Sequence, residues 1–140
     1  MSEQITLTLT GIQKDETGER DINSTNTTAE YYEKNGTHYI FFEERDADSS
    51  AVIKSTIKFK NNCLELTKKG NVTTRMVFEP GQEFVTNYIT PFGSMDMCIN
   101  THMIECHFKK GLPQIRASYT LSSGGQTISE NIITIKLSRH

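Results

Sequence analysis

A chain of 140 residues is long enough for one domain with a buried core, and we expect a single domain over residues 1–140. Apolar residues make up 35% of it and tryptophan is absent, which favours layers of alternating strands over helices with wide apolar faces. The formal net charge of -2 gives no global field that would attract nucleic acid or an anionic membrane. Both are therefore disfavoured as partners.

The charged residues are unevenly spread along the chain. Residues 1–50 hold 11 acidic and 4 basic side chains, whereas residues 51–140 hold 6 acidic and 11 basic ones. Either the folded surface has an acidic and a basic side, or the charges neutralise one another across neighbouring strands. The second arrangement is favoured, because opposite charges on adjacent strands support their pairing.

The first residues and the cysteines predict the cellular compartment. The N-terminal Met1-Ser2-Glu3-Gln4 has no basic segment and no long apolar run follows it, so we expect no signal peptide. No stretch approaches the roughly 20 apolar residues of a membrane helix. Three cysteines cannot all pair within one chain, so reduced thiols are the simplest interpretation. We therefore predict a cytoplasmic protein.

The first part of the chain predicts a strand, a loop and a hairpin. Residues Ile5 to Gly11 alternate between aliphatic and threonine side chains, the period-two pattern of a half-buried strand. Residues 13–28 are polar and acidic, include a glycine, and predict a loop. Asn35-Gly36 then predicts a two-residue hairpin turn with a strand on each side.

The middle of the chain consists of short alternating runs separated by turn residues. Turns are predicted at Asp46 to Ser50, Asn61-Asn62, Gly70-Asn71 and Pro80-Gly81. From Phe84 to Thr101 the pattern predicts a strand, a sharp corner and a second strand. In the corner, Pro91 fixes its own φ and Gly93 can adopt a positive φ.

A change of phase follows this corner. Apolar residues stand at odd positions up to Ile99 and at even positions from Ile104 on. A β-bulge near Met103-Ile104 would account for the change, because a bulge adds one unpaired residue to a strand. Two more strands, Gln114 to Ser122 and Ile128 to Leu137, complete the pattern around a Gly-Gly turn.

These elements predict an all-β architecture. About nine or ten consecutive strands with tight turns imply sequential antiparallel pairing. Short connections, without the long crossover of a Greek key, favour an up-and-down barrel of about 8–10 strands.

Several segments also carry a family resemblance. They are Tyr39 to Glu44, Gly70 with Met76 to Gly81, Tyr88 to Gly93 with Thr101, and Tyr119 to Leu121. In this order, and from about Glu30 on, the chain resembles the DUF1934, or YwiB-like, family of small bacterial proteins. The resemblance implies a calycin-like (lipocalin-like) β-barrel in a bacterial cytoplasmic setting. It implies no activity, because the family has none that could be carried over.

Candidate catalytic and metal-binding groups are few. Cys106 and His107 are neighbours on a predicted strand and point to opposite faces, so they form no nucleophile–base pair. His102 and Cys106 would share a face, but structural zinc sites draw ligand pairs from two elements and no second pair exists. No Gly-x-Ser-x-Gly elbow or phosphate-binding glycine loop is present. We therefore predict a non-enzymatic protein without a cofactor or a metal site.

The barrel interior is the first candidate binding site. Barrels of about eight strands have room for side chains or for one small ligand. The inward-facing candidates mix apolar and polar-tipped side chains, as ligand sites do and as filled cores also do. If the lumen is open, we expect a small, partly apolar molecule with Arg75, Tyr88 and Tyr119 as its polar contacts.

A lysine stripe is the alternative candidate. Lys54, Lys58 and Lys60 line one face of a predicted strand, and Lys68-Lys69 stands in the next. Such a stripe could bind RNA or an acidic protein, which would make the domain a surface-interaction module. The pattern offers no aromatic side chain on that face, and outer lysines also keep edge strands soluble. Since edge strands can pair between chains, a monomer and a homodimer are both compatible with the sequence.

Overall fold

The computed structural model describes residues 2–45, 51–70, 73–90 and 93–139, with only the backbone of residues 88–90. All elements within these ranges are β-strands. They are β1 (Glu3–Asp15), β2 (Arg20–Lys34), β3 (Thr37–Arg45), β4 (Val52–Lys60), β5 (Cys63–Lys69), β6 (Thr73–Phe78), β7 (Glu83–Thr90), β8 (Gly93–Lys109), β9 (Leu112–Ser123) and β10 (Gln126–Arg139).

The strands form one antiparallel sheet that curls into a nearly closed barrel. Their order is β6-β5-β4-β3-β2-β1-β10-β9-β8-β7, so sequence neighbours pair throughout and β1 pairs with β10. The two edge strands, β6 and β7, approach each other where Thr86 Oγ1 donates a hydrogen bond to the carbonyl of Arg75 at 2.8 Å. The predicted up-and-down barrel is confirmed.

Tight turns with positive φ explain the sequential pairing. Asn35 and Gly36 have φ values of 53° and 81°, and Asn61 and Asn62 have values of 50° and 63°. Two successive positive φ angles are the signature of type I′ turns, whose twist matches that of the strands they join. The predicted hairpins at both positions are therefore confirmed.

The core follows the period-two pattern of the sequence. In β5, for example, Leu64 and Leu66 are buried, whereas Glu65 between them faces outward. Large side chains with less than 2% exposure fill the interior, among them Ile5, Leu7, Ile40, Ile57, Leu64, Phe78, Ile99, Leu112, Ile115 and Ile135. The described part of the lumen is thus occupied largely by the protein's own side chains.

The predicted loop at residues 13–28 is wrong. β1 continues to Asp15 and β2 begins at Arg20, so the connection is one tight turn. Asp15 Oδ1 accepts hydrogen bonds from the backbone N–H groups of Thr17 and Glu19 and from the Thr17 hydroxyl. Threonine and asparagine line both faces of β2 here, so the strand lacks the apolar alternation by which sequence patterns reveal strands. Its pairing with β1 determines its structure.

A bulge interrupts β8 one residue earlier than predicted. The register with β9 shifts between Thr101 and Met103, so His102 is the extra residue. The bulge reverses the phase of the strand, which places Ile99 and Ile104 on the inner face alike.

Three predicted turns fall wholly or partly outside the described residues: Asp46 to Ser50, Gly70-Asn71 and the corner at Pro91. Gly93, which ends that corner, has a φ of 119°, so the prediction of a positive φ there is confirmed. No described segment forms a helix of the length and apolarity that crossing a bilayer requires.

Candidate functional site

A cleft opens in the barrel wall where β2 and β3 stop pairing. Their register ends at Glu30 opposite Phe41, and from there β2 pairs only with β1 and β3 only with β4. The separated strands leave a cleft of about 560 Å³. Its lining comprises Gln4, Thr28, Ala29, Glu30, Phe41, Phe42, Glu43, Lys54, Ser55, Thr56 and Lys69.

The cleft connects the outer surface with side chains of the inner face. Ala29, Phe42 and Ser55 are buried, whereas Glu43 and Lys54 at the rim are exposed. In the described part of the chain, two buried side-chain oxygens have no hydrogen-bond partner, and the Ser55 hydroxyl is one of them. Buried hydroxyls normally have a partner, because an unpaired one costs about 1–3 kcal/mol. Ser55 therefore offers an unused hydrogen-bonding group beside an apolar wall.

Two of the three predicted luminal contacts can be located. Tyr119 faces inward as predicted, half-buried against the core, with its ring centroid 4.7 Å from that of Phe78. The luminal position of Arg75 is wrong, because its neighbours Met76 and Phe78 occupy the inner face and alternation directs Arg75 outward. The Tyr88 side chain lies outside the described residues.

Arg75 is instead part of an exterior ion pair. Its Nε donates a hydrogen bond of 2.8 Å to Glu65 Oε1, and this bond raises the pKa of Arg75 above its ordinary value. The pair leaves Arg75 no role as a polar contact inside the barrel.

The lysine stripe lies on the outer face, as predicted. Lys54, Lys58 and Lys60 are all exposed. Acidic side chains stand opposite two of them, since Lys54 faces Glu43 on β3 and Lys58 faces Glu65 on β5. The stripe is therefore a mixed-charge surface rather than a basic one.

Aromatic rings also lie on this outer face, contrary to the expectation from the sequence. The rings of Tyr32 and Tyr39 stack at 4.8 Å, and Phe41 lies 5.7 Å from Tyr32. Lys58 Nζ stands 6.0 Å from the centre of the Tyr39 ring. Strand pairing brings these residues together from β2, β3 and β4, and a pattern read along one strand does not show that neighbourhood.

Comparison with protein-family models matches residues 7–135 to a domain of unknown function, DUF1934. The chain belongs to the DUF1934 family. Its fold is similar to the crystal structure of the YwiB protein from Bacillus subtilis, with a TM-score of 0.79 over 96% of this chain and 92% of that chain. Sequence identity to that protein is 21%, so this likeness shows the fold alone. No curated protein matches the chain significantly.

Within this DUF1934 domain, three of the residue groups that carry the family resemblance meet where the barrel closes: Met76 to Gly81, Thr101, and Tyr119 to Leu121. The backbone N–H of Gly81 donates to the carbonyl of Thr101 at 3.0 Å, and Phe78 packs on Tyr119. Thr101 is 1% exposed and its hydroxyl is the second buried oxygen without a partner among the described side chains. These residues join β6 and the β6–β7 turn to β8 and β9.

The histidine and cysteine group of β8 is dispersed in the DUF1934 domain. The bulge directs His102 outward, where its Nε2 lies 2.5 Å from the Thr120 hydroxyl, whereas Cys106 packs against the core. The expectation that these two share a face is therefore wrong. In the described part of the chain, no three His, Cys, Asp or Glu side chains are placed to hold a metal ion. Burial raises the pKa of the Cys106 thiol, which lowers its thiolate fraction and disfavours a nucleophilic role.

A buried polar pair flanks the turn between β2 and β3 and is not evident from the sequence pattern. The Tyr31 hydroxyl lies 2.9 Å from His38 Nδ1, and Glu33 lies 3.9 Å from the other ring nitrogen. Phe108 covers the histidine with its ring centroid at 5.5 Å. Burial raises the pKa of Tyr31. Tyr31 and His38 stand on opposite sides of the predicted Asn35-Gly36 turn, which is the one signal from which their proximity could have been inferred.

Proposed function

We propose that this DUF1934 barrel binds a small, partly apolar molecule in the cleft between β2 and β3 and catalyses no reaction. The observation that carries the proposal is the unpartnered Ser55 hydroxyl in a cleft that reaches buried apolar side chains. The volume of about 560 Å³ is in the usual range of small-molecule sites. We therefore propose a binding site in the barrel wall in place of the predicted site in the lumen.

The lining favours a ligand with two chemically different parts. An apolar part would contact Phe41, Phe42 and Ala29, while a hydrogen-bonding part would reach the Ser55 hydroxyl. Charged groups of both signs surround the entrance, with Lys54 among the cations. Beyond Glu30 and Phe41, β2 and β3 no longer pair with each other, so backbone N–H and C=O groups along these strand edges are also available to a ligand. The non-enzymatic character, the cytoplasmic location and the oligomeric state stay predictions.

Binding of 1-anilinonaphthalene-8-sulfonate, a small probe with an apolar and an anionic part, tests the cleft. We expect saturable, one-to-one fluorescence enhancement under native conditions. Thr28→Phe adds bulk to the exposed cleft wall and should abolish it, while Ser55→Ala should weaken it about 3- to 10-fold through one lost hydrogen bond. Native mass spectrometry of the purified protein would identify a co-purified molecule, which should compete with the probe.

Asn26→Phe is the matched control, since it adds the same bulk to the same face of β2 two residues away from Thr28. Thermal unfolding verifies that each variant folds. If folded Thr28→Phe binds as tightly as Asn26→Phe, the cleft is not the site. Weakening by Tyr119→Phe alone would place the ligand in the deep interior instead.

The aromatic rings beside the lysine stripe support a second candidate function, single-stranded RNA binding on the outer face of β2 to β4. Stacked rings with adjacent cations are typical of sequence-tolerant nucleic-acid surfaces. In this case a fluorescent oligouridine should bind with a steep salt dependence, and charge reversal of Lys54, Lys58 and Lys60 should abolish binding. Tyr39→Ala should weaken it as well. Binding that is indifferent to salt contradicts this function.

A further inference from the structure

A row of four apolar side chains and one serine crosses the outer face of five neighbouring strands of the sheet, on the side of the barrel away from the lysine stripe. The strand register places five residues directly opposite one another: Ile22 on β2, Ile12 on β1, Ile132 on β10, Ser118 on β9 and Met103 on β8. Ile22 and Met103 at the two ends are 64% and 48% exposed. At about 4.8 Å per strand, the row is about 19 Å long.

Cations surround this row. Lys14, Arg20, Lys109, Arg116 and Lys136 are all exposed there, against the two carboxylates of Glu105 and Glu130. Two adjacent depressions of about 520 and 460 Å³ share Ile12, Ile132 and Arg116 in their lining. We call this surface the basic face.

The five cations of the basic face outnumber its two carboxylates, which stand opposite two of them: Glu130 faces Lys14 and Glu105 faces Arg116. Within the described part of the chain, none of the five has a carboxylate within 4.0 Å. The register of the described strands places no carboxylate opposite Arg20, Lys109 or Lys136. The basic face therefore combines exposed apolar area with an excess of positive charge, a combination typical of interaction sites.

We propose that the basic face docks an acidic peptide segment of another protein, with the segment's apolar side chains on Ile22, Ile12 and Ile132. Its carboxylates would complement the surrounding cations. This interaction goes beyond the proposed small-molecule binding and uses a different surface, so each stands or fails without the other.

The chemistry of the face favours this partner over two others. A second copy related by a two-fold axis would bring the same cations opposite each other, which is repulsive. RNA binding relies on stacking, but no phenylalanine or tryptophan is among the described lining residues, and the one tyrosine, Tyr119, packs its ring on Phe78 inside the barrel. An acidic segment with apolar residues would contact the row through its apolar side chains and the surrounding cations through its carboxylates.

A designed peptide of about 13 residues, long enough as a helix to span the row, provides the probe. It carries leucines at alternating spacings of three and four residues and glutamates elsewhere. Amide chemical shifts of the isotope-labelled full chain should change saturably along the five-residue row. A peptide of the same composition with its leucines dispersed around the helix should bind at least about 10-fold more weakly, because it presents no continuous apolar stripe.

Two pairs of variants assign the interaction. Ile22→Asp should weaken peptide binding about 10-fold, whereas Val85→Asp, which alters a similarly exposed apolar residue on β7, should leave it unchanged. Arg116→Glu should weaken binding to a similar degree and Lys60→Glu should not. Ile22 and Arg116 are exposed, so these changes leave the fold and the binding of the small fluorescent probe intact.

Each of several outcomes would overturn the proposal. One is the absence of saturable shifts on the basic face with the amphipathic peptide, and another is equal affinity for the dispersed peptide. Displacement of the peptide by oligouridine would identify the face as a nucleic-acid surface. Concentration-dependent shifts of the same amides without any peptide would identify it as an interface between copies of this chain.

Discussion

Replacing Phe78 with alanine is expected to lower the free energy of unfolding by about 3–5 kcal/mol, the usual cost of deleting a buried phenylalanine ring. Phe78 ends β6, is 0% exposed, and packs on Tyr119 of β9 with the ring centroids 4.7 Å apart. This contact ties the edge strand β6 to β9 where the barrel closes. Total stabilities of domains are about 5–15 kcal/mol, so the loss should show clearly in urea unfolding.

Val77→Ala serves as the matched control for this experiment. Val77 is the sequence neighbour of Phe78 and lies partly buried on the outer side of β6, so its truncation should cost less than about 1 kcal/mol. Similar losses in the two variants would contradict the assignment of Phe78 to the interior contact. Tyr119→Phe keeps the ring contact and should retain most of the stability.

The strands and their turns could be predicted because their determinants are local. Asn35-Gly36 and Asn61-Asn62 readily adopt the two positive φ angles of a type I′ turn, and the alternation around them assigns each flanking strand a face. The outward orientation of Arg75 could have been predicted from the same alternation. Once Met76 and Phe78 face inward, the period of two directs Arg75 outward.

The candidate site could not be predicted because it depends on where pairing stops. β2 and β3 both continue beyond Glu30 and Phe41, but no longer pair with each other. Neither residue differs in type from its neighbours in a way that marks the end of pairing. The strand at 20–28 was missed for a related reason, since its pairing with β1 offsets a sequence without apolar alternation.

Of the two arrangements suggested by the uneven charge distribution, neutralisation across neighbouring strands occurs on both sides of the barrel, and the basic face keeps an excess of cations. On the outer face of β3 to β6, Glu43 stands opposite Lys54, and Glu65 stands opposite Lys58 and pairs with Arg75. On the basic face, Glu130 stands opposite Lys14 and Glu105 opposite Arg116, but Arg20, Lys109 and Lys136 have no carboxylate opposite them in the described strands. The excess of cations on the basic face follows from strand order, which places the acidic β3 next to β4 and distant from β9.

Replacing Gln114 with leucine is expected to cost about 2–4 kcal/mol, because three backbone groups lose a buried partner. The ladder between β9 and β10 ends at Ile115 opposite Ile135, and the Gln114 side chain continues it. Its Nε2 donates to the carbonyls of Leu137 at 2.9 Å and Leu112 at 3.2 Å, and its Oε1 accepts the Leu137 N–H at 3.1 Å. Gln126→Leu, at an exposed glutamine of β10, should change stability by less than about 0.5 kcal/mol.

Gln114→Glu separates this hydrogen-bond explanation from simple loss of packing, since it preserves shape. A carboxylate there would face two carbonyl oxygens, so burial and repulsion raise its folded-state pKa above the unfolded value of about 4.3. As the pH rises, the unfolded state of the variant therefore loses its proton before the folded state does. The free energy of unfolding of the variant thus falls further below that of the native protein as the pH rises above about 4. Urea unfolding of both proteins at low and neutral pH measures this difference. A deficit that is independent of pH would mean that the amide of Gln114 does not hold β9 to β10.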